Sequence, residues 1–297
     1  MKQVIRIGTR TSKLAMAQTH IIIRKIKKVY PEMNFEIVPI KTVGDRILDR
    51  SLLSFGGKGA FVLEFEEALL RGDIDLAVHS AKDMPMSLEE GLAIVAIPKR
   101  EDPRDVLITL KDIPLKDGAI IGTSSLRRQY QIASQRKVIC KDLRGNVNTR
   151  LEKLEAGEYD GIILAAAGLK RLGLTCEEHF HYDYMDCHTF IPAAGQGIIA
   201  VEGRKDDELI PIVSVINDQD TVIALNIERY VLQLLNAGCH EPIGVYSYIT
   251  NDKLHLILLK AESNKIIRKK GSCNIEEGKN LAKVLVGEIK ESVMEMM

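Results

Sequence analysis

The chain has 297 residues, of which 45% are hydrophobic, so it is long enough for two or three compact domains with substantial cores. Its 41 basic and 41 acidic side chains give a formal net charge of +0, which argues against a surface built broadly for nucleic acid or an anionic membrane. No apolar run approaches membrane-spanning length, and the five scattered cysteines suit a reducing compartment better than a disulfide framework, so we expect a cytoplasmic protein.

The first predicted element is a strand over residues 4–7, an apolar stretch that carries a charge and therefore does not fit a secretory signal. A turn with glycine and hydroxyl residues follows, and apolar positions between Leu14 and Val29 then recur at helical spacing. The same succession of strand, hydroxyl-rich turn and helix start returns over residues 119–129. Each copy predicts a βα unit.

A second repeat links residues 69–78 with residues 154–163. Each of these segments has the pattern of a helix end, a glycine stop and a buried strand. Together the two repeats predict two similarly built α/β domains.

The last part of the chain has a different pattern. Residues 245–250, 254–260 and 265–270 alternate or run apolar between turn residues, which predicts a three-stranded antiparallel meander. Helices predicted over residues 221–235 and 276–295 flank it. These elements predict a small α+β domain of its own.

Several arginines lie at turns or helix starts, beside glycine, hydroxyl or amide residues. A helix N-terminus offers unpaired N–H groups, and a neighbouring guanidinium adds a planar fork that matches a carboxylate. For any one of these arginines, a solvated side chain beside an ordinary helix cap is an equally good interpretation, but repetition in two domains favours anion binding. The arginines are Arg10, Arg127, Arg128, Arg144, Arg150 and Arg171.

Neighbouring polar residues extend this pattern. Thr123, Ser124 and Ser125 can add hydroxyl donors to the second hydroxyl-rich turn. Gly145 and Asn146 lie in a turn that places Arg144 and Arg150 around one point. We therefore expect a local anion site in a chain whose overall charge is balanced.

Two glycine-rich segments resemble nucleotide-binding motifs without meeting their requirements. Residues 56–60 lack the first glycine of a Walker A loop, and Gly59 stands where that loop needs serine or threonine. Residues 195–200 have the spacing of a dinucleotide loop, but the residues before them make a poor first strand. Cysteines and histidines crowd residues 176–188 without a compact C-x-x-C pair, so we expect a polar surface segment and no metal there.

Cys239 and Asp83 are the candidates for covalent and proton-transfer chemistry. Cys239 lies on a predicted loop beside His240, which can help to form the nucleophilic thiolate, although a lone cysteine is more often buried and inert. Asp83 directly follows an apolar strand, where strand ends of α/β domains open onto ligand crevices. A turn-forming role for Asp83 before Pro85 is an equally good interpretation.

Nine segments, taken together and in order, resemble the porphobilinogen deaminase family from the first strand to the meander. They are GTRTSKLA at 8–15, GGKGAF at 56–61, HSAKDMP at 79–85, REDPRD at 100–105, GTSSLRRQ at 122–129, LRGNV at 143–147, AGLKRLG at 167–173, PAAGQG at 192–197 and GCHEPIG at 238–244.

The resemblance implies an α/β fold with two periplasmic-binding-protein-like domains around a cleft, plus a small α+β C-terminal domain. Domain 1 is expected to be discontinuous and to comprise residues 1–99 and 195–216. Domain 2 is expected over residues 100–194 and domain 3, with the cofactor loop, over residues 217–297.

The resemblance also implies the chemistry. The family joins four porphobilinogen molecules head to tail on a covalent dipyrromethane cofactor and releases hydroxymethylbilane with water. The cysteine that matches Cys239 holds the cofactor through a thioether, a bond that suits a thiolate nucleophile. The carboxylate that matches Asp83 is expected to protonate the leaving amine, to stabilise a cationic pyrrole nitrogen and later to accept a proton.

Each pyrrole carries an acetate and a propionate, so the resemblance assigns the arginines and their neighbours to these acids. Lys58 and Phe61 belong to a glycine-rich stretch that resembles a mobile lid. The expected cofactor and substrate contacts are Arg10, Ser12, Gln18, Lys58, Phe61, Lys82, Thr123, Ser124, Ser125, Arg127, Arg128, Arg144, Gly145, Asn146, Arg150, Arg171 and Gln196.

Porphobilinogen is the expected partner, with no nucleic acid, membrane or metal, and a monomer is expected. The alternative from another class is a noncatalytic periplasmic-binding-protein-like sensor or binding domain for a small anion. Cys239 distinguishes the two hypotheses, because only the enzyme needs a covalent primer.

Overall fold

The computed structural model describes residues 4–42, 62–237, 241–262 and 265–295. The chain divides into two compact units, Met1–Glu101 with Ile198–Val222 and Asp102–Gly197 with Ile223–Met297. No helix within the described ranges is both long and apolar enough to cross a membrane.

The first unit is built on a five-stranded sheet in the order β2-β1-β3-β10-β4. Strands β1, β2 and β3 are parallel, and β10 runs antiparallel between β3 and β4. The strands are β1 (Val4–Thr9), β2 (Asn34–Pro39), β3 (Leu76–Ser80), β4 (Leu92–Ala96) and β10 (Ile199–Arg204). The helices are α1 (Lys13–Lys27), α2 (Leu63–Arg71) and α6 (Ile210–Val213).

Local signals explain the ends of these helices. Ser12 caps α1, because its hydroxyl accepts a hydrogen bond from the Ala15 N–H at 3.3 Å. Gly72 ends α2 in the left-handed region, at φ 76°, where a residue without Cβ is favoured. The apolar stripe of α1, including Ile22 and Ile26, packs on Ile5 and Ile7 of β1 and forms the core on that side of the sheet.

The second unit repeats this arrangement in a sheet of order β7-β6-β8-β5-β9. Strands β6, β7 and β8 are parallel, and β5 runs antiparallel between β8 and β9. The strands are β5 (Asp105–Leu110), β6 (Ala119–Gly122), β7 (Val138–Lys141), β8 (Gly161–Ala165) and β9 (Phe180–Tyr184). The helices are α3 (Leu126–Gln135), α4 (Val147–Glu155) and α5 (Ala166–Leu172).

A third sheet is antiparallel, in the order β11-β12-β13. Its central strand has buried residues on both faces, with Leu254 and Leu256 on one and Ile257 and Leu259 on the other. The strands are β11 (Ile243–Thr250), β12 (Lys253–Glu262) and β13 (Lys265–Asn274). The last two helices are α7 (Gln219–Leu235) and α8 (Gly278–Met294), and α8 packs on β12 and β13.

The predicted α/β class, the two repeated βα units and the C-terminal antiparallel meander are therefore confirmed. The meander strands are longer than predicted, because the pairing of β12 with β13 continues to Asn274. The expectation of a polar surface segment over residues 176–188 is wrong in part. Its centre forms the edge strand β9 against β5, and Phe180, Met185 and Cys187 are buried.

The division into three domains, with boundaries at residues 99, 194 and 216, stays a prediction. The structure groups residues 223–297 with residues 102–197 in one compact unit.

Candidate active site

A cavity of about 90 Å³ opens in the first unit at the carboxyl ends of β1 and β3. Four residues expected from the sequence to bind or react line it, namely Arg10, Ser12, Gln18 and Asp83. The remaining lining residues are Leu14, Ala15, Val62, Phe65, Val78, His79 and Ser80. Strand ends of parallel α/β sheets are the usual position of a ligand site, so the topology places these side chains together.

The polar residues that line this cavity come from the end of β1, the start of α1 and the end of β3. Arg10 follows β1, and Ser12 and Gln18 belong to the cap and second turn of α1. The Gln18 side chain is buried, and its Nε2 donates to Ser80 Oγ at 2.8 Å. This bond joins α1 to the end of β3 directly before the segment that carries Asp83.

Asp83 ends a 3-10 turn, Ala81–Asp83, that continues from β3. The turn is anchored by the Ala81 N–H, which donates to the Ile198 carbonyl at 3.0 Å, and by Met84, which is fully buried. The Asp83 side chain is exposed where it borders the cavity, whereas Lys82 does not line it. An accessible carboxylate on a rigid turn can donate or accept a proton at a bound substrate.

His79 also lines the cavity, and sequence reasoning did not assign it a role. Its Nε2 lies 2.9 Å from Glu202 Oε2, and its ring makes a T-shaped contact with the Phe65 ring, with centroids 5.0 Å apart. Glu202 is fully buried on β10. No local pattern in the sequence pointed to a pair whose members are 123 residues apart.

In the second unit, Arg127 and Arg128 are buried in the first turn of α3, and the carboxylate that they hold belongs to Asp105. Arg127 NH1 donates to Asp105 Oδ2 at 2.6 Å and Arg128 Nε to Oδ1 at 2.9 Å. Gln196 Nε2 also donates to Oδ1, at 3.0 Å. Backbone carbonyls of Ile191 and Ile163 accept further bonds from the two guanidinium groups.

Burial by itself would raise the pKa of the fully buried Asp105 carboxyl. The charges of Arg127 and Arg128 and the hydrogen bonds from Arg127 and Gln196 outweigh burial and hold that pKa well below its usual range. Asp105 is therefore ionised and fixes the orientation of both arginines. The local sequence gives no signal for this role of Asp105, because its arginine partners lie 22 and 23 residues away in the chain.

The hydroxyl-rich turn after β6 is held largely by its own contacts. Ser124 Oγ donates to the Leu143 carbonyl at 3.1 Å and accepts from the Leu143 N–H at 3.0 Å. Thr123 is buried, and its Oγ1 accepts from the Ser125 N–H at 3.3 Å. Ser125 is the N-cap residue of α3, but its side chain does not cap the helix.

Arg144, Gly145 and Asn146 lie in the turn before α4, and Arg150 lies in the first part of that helix. Asn146 caps α4, accepting from the Thr149 N–H at 3.0 Å, and Arg150 Nε donates to the Gly145 carbonyl at 2.8 Å. Gly145 has φ +118°, and a Cβ there would come within 2.9 Å of Thr149. Arg144 is exposed. Elsewhere in this unit, Arg171 NH2 donates to the Gly197 carbonyl at 2.6 Å.

Two family models match this chain. Porphobilinogen deaminase, dipyromethane cofactor binding domain, matches residues 5–211, and porphobilinogen deaminase, C-terminal domain, matches residues 222–291. The chain belongs to the porphobilinogen deaminase family. The porphobilinogen deaminase of Streptococcus sanguinis is 48% identical and covers 82% of this chain and 82% of that protein. That of Oceanobacillus iheyensis is 43% identical and covers 99% and 97%.

Among solved structures, the methionine-binding protein MetQ is similar to this porphobilinogen deaminase family member, with a TM-score of 0.45 and 15% identity. The likeness covers 75% of this chain and 94% of that chain.

Three expected site residues, Cys239, Lys58 and Phe61, lie outside the described residues. In the described part, no group of three or more histidine, cysteine and acidic side chains is arranged to hold a metal ion. Within the crowded segment at residues 176–188, His179 pairs instead with Glu155, with Nε2 2.9 Å from Oε1.

Proposed function

We propose that this chain is a hydroxymethylbilane synthase. It deaminates four porphobilinogen molecules, joins them head to tail on a covalent dipyrromethane cofactor and releases the linear product with water. The cavity that gathers Arg10, Ser12, Gln18 and Asp83 carries this proposal, in a chain whose family is established over nearly its whole length. A noncatalytic anion sensor is not favoured by any of these findings.

The donors among the described residues fit the cofactor named by the family model. The carboxylate side chains of that cofactor need positively charged partners and N–H or O–H groups that donate hydrogen bonds. Arg144 is exposed, the Ser125 hydroxyl is not used for capping, and both are close in sequence to helix starts that favour anions. When bound through Cys239, the cofactor supplies the primer to which pyrrole units are added. We assign its side-chain contacts to Ser125, Arg144, Arg150 and Arg171.

Arg127 and Arg128 have a supporting role in this proposal. Both guanidinium groups hold Asp105, and each also donates to a backbone carbonyl, that of Ile191 for Arg127 and that of Ile163 for Arg128. They place buried positive charge behind the helix start that carries Ser125. Thr123, Ser124, Gly145, Asn146 and Gln196 shape the surrounding turns.

Asp83 is the proposed acid and base. As a carboxylic acid it protonates the amine that leaves, and as a carboxylate it stabilises positive charge on the pyrrole nitrogen and accepts the proton released when the ring becomes aromatic again. Arg10 and Ser12 bind the acids of the unit that reacts. Lys82, Lys58 and Phe61 are proposed as further contacts.

The proposed setting follows from the substrate. Porphobilinogen is a small molecule, and we propose that the enzyme works on it in the cytoplasm as a monomer. Neither nucleic acid nor a membrane has a part in this proposal.

The deciding measurement combines intact mass with turnover. We expect the purified protein to exceed its polypeptide mass by one dipyrromethane, and Cys239→Ser to show the bare polypeptide, because serine is a poor nucleophile without activation. Asp83→Asn should keep the added mass while kcat for porphobilinogen falls about a hundredfold or more.

Asp73→Asn is the matched control, since this carboxylate of the same unit is exposed and pairs with Arg71. It should leave both mass and kcat unchanged. An active enzyme with the bare polypeptide mass would contradict the covalent primer, and near-normal turnover by Asp83→Asn would contradict the role of Asp83.

A further inference from the structure

A buried pair of ionisable residues borders the Asp83 cavity, and one member of the pair, His79, lines it. His79 on β3 and Glu202 on β10 belong to neighbouring antiparallel strands, in which Glu202 faces Ala77 and Ala200 faces His79. Ala77 and His79 are two residues apart, so the side chains of all four residues lie on the same face of the sheet. Helix α2 covers this face and contributes Phe65 and the buried Glu66.

Glu202 is poorly satisfied for a buried carboxylate. Its Oε2 lies 2.9 Å from His79 Nε2, and within the part of the chain that the structure describes its Oε1 has no hydrogen-bond partner. By contrast, the buried Glu228 accepts from the N–H groups of Gly195 and Ser247 and from the Ser247 hydroxyl. Leaving a buried acceptor unpaired costs stability, which points to a role for Glu202 beyond packing.

The geometry indicates what that role is. A carboxylate can only accept hydrogen bonds, so the contact of a Glu202 carboxylate with a neutral imidazole requires the proton on Nε2 and leaves Nδ1 as an acceptor. Because Nε2 is turned towards Glu202 and the ring lines the cavity, Nδ1 is the nitrogen that remains for a ligand. Asp83 offers a second acceptor in the same cavity.

We propose that Glu202 positions His79 so that Nδ1 accepts a hydrogen bond from the ammonium group of the pyrrole substrate, which makes the cavity selective for a substrate carrying an amine. Once Asp83 has given its proton to the amine, the resulting ammonium group has three N–H donors, and the Asp83 carboxylate and His79 Nδ1 supply two acceptors for it. The inference rests on the proposed function, because it concerns the amine that this function removes.

Glu66 provides the matched control. Burial raises the pKa of this carboxyl, the hydrogen bond from the Glu89 N–H opposes the rise, and the nearby Glu202 adds to it. Glu66 does not line the cavity. Glu66→Gln and Glu202→Gln therefore make the same chemical change at two buried positions on one face, and only the second removes the partner of His79.

The first measurement needs no turnover. In protein with ¹⁵N-labelled histidine, carrying its cofactor, the His79 signals should show a neutral ring with the proton on Nε2, assigned by their loss in His79→Gln. Glu202→Gln should shift the tautomer balance, since an amide can donate as well as accept, and Glu66→Gln should not. A wild-type ring protonated on Nδ1 alone would overturn the inference.

The second measurement compares porphobilinogen with an analogue that has a hydroxymethyl group in place of the aminomethyl group. In Glu202→Gln the preference for the amine, as a ratio of kcat/KM values, should fall about tenfold, while Glu66→Gln keeps it. An unchanged preference in Glu202→Gln would overturn the inference. If the wild type does not turn over porphobilinogen at all, the proposed function fails, and the tautomer measurement still tests the pair.

Discussion

At the scale of single residues, burial of a charge is costly unless the charge is paired, and Asp105 shows how such a charge is paired in this protein. Its carboxylate is fully buried but is held by two guanidinium groups and the Gln196 amide. A comparable carboxylate, Asp75, is also fully buried and pairs with Arg6 and Arg204. The two clusters differ in their cations, because the arginines around Asp105 are buried as well.

This difference gives a testable contrast in stability. Asp105→Asn should lower the free energy of unfolding by about 3–5 kcal/mol, because it leaves Arg127 and Arg128 buried without their charged partner. Asp75→Asn should cost less, since the side chains of Arg6 and Arg204 are 35% and 26% exposed and can be hydrated. Urea unfolding of both variants measures this, and equal losses would contradict the argument.

Asp105 also makes the free energy of unfolding depend on pH in the acid range. Because the folded-state pKa of Asp105 is lowered from 3.8, its contribution is fully present above that value and is lost as the pH falls through the folded-state pKa. The urea midpoint of the wild type should therefore fall more steeply below about pH 4 than that of Asp105→Asn. Parallel acid profiles would show that Asp105 is not the group responsible.

At the scale of elements, the starts of helices α3 and α4 carry several of the proposed ligand contacts. The N-cap residues of these two helices behave differently. Asn146 caps α4 with its side chain, whereas Ser125, the N-cap residue of α3, makes no side-chain cap bond. Both were predicted from the sequence as possible anion contacts for the same reason, a polar residue beside an arginine. Of these two side chains, only that of Asn146 accepts a hydrogen bond from a backbone N–H in the first turn of its helix.

The two caps can be compared by alanine substitution. Asn146→Ala should lower the free energy of unfolding by about 1 kcal/mol, because the Thr149 N–H loses its acceptor. Ser125→Ala should stay within about 0.5 kcal/mol of the wild type, since no cap bond is removed. A loss in Ser125→Ala as large as that in Asn146→Ala would contradict the assignment of that hydroxyl to ligand binding.

Much at this scale could be predicted. The repeated strand-turn-helix pattern, the glycine stop at Gly72 and the alternation in the meander depend on neighbours in sequence, and the structure has each of them. The buried residues in the segment at residues 176–188 could not be predicted, because Phe180 and Met185 share core clusters with residues of β5, which sheet pairing brings to them.

At the scale of the whole molecule, the first sheet is completed late in the chain. Strand β4 pairs with β10 and not with β3, so the strand between them comes from residues 199–204, which follow residues 102–197 of the second unit in sequence. Loop closure over so long an insertion makes this sheet depend on non-local contacts.

A fragment of residues 1–101 should therefore fail to unfold cooperatively, because β3 and β4 would lack their shared partner. Joining residue 101 to residues 198–222 through a short glycine-serine linker should restore a cooperative thermal transition, followed by circular dichroism. Cooperative unfolding of the fragment alone would contradict the importance of β10.

The sequence by itself determined the two α/β repeats and the antiparallel end, because periodicity, caps and turn residues act between close neighbours. Ser12 and Gln18, which line the cavity, were expected only from the family resemblance. Only the tertiary structure decided that His79 meets Glu202, and that Arg127 and Arg128 hold Asp105. These contacts depend on sheet order and strand register, which bring distant residues together and which no local pattern specifies.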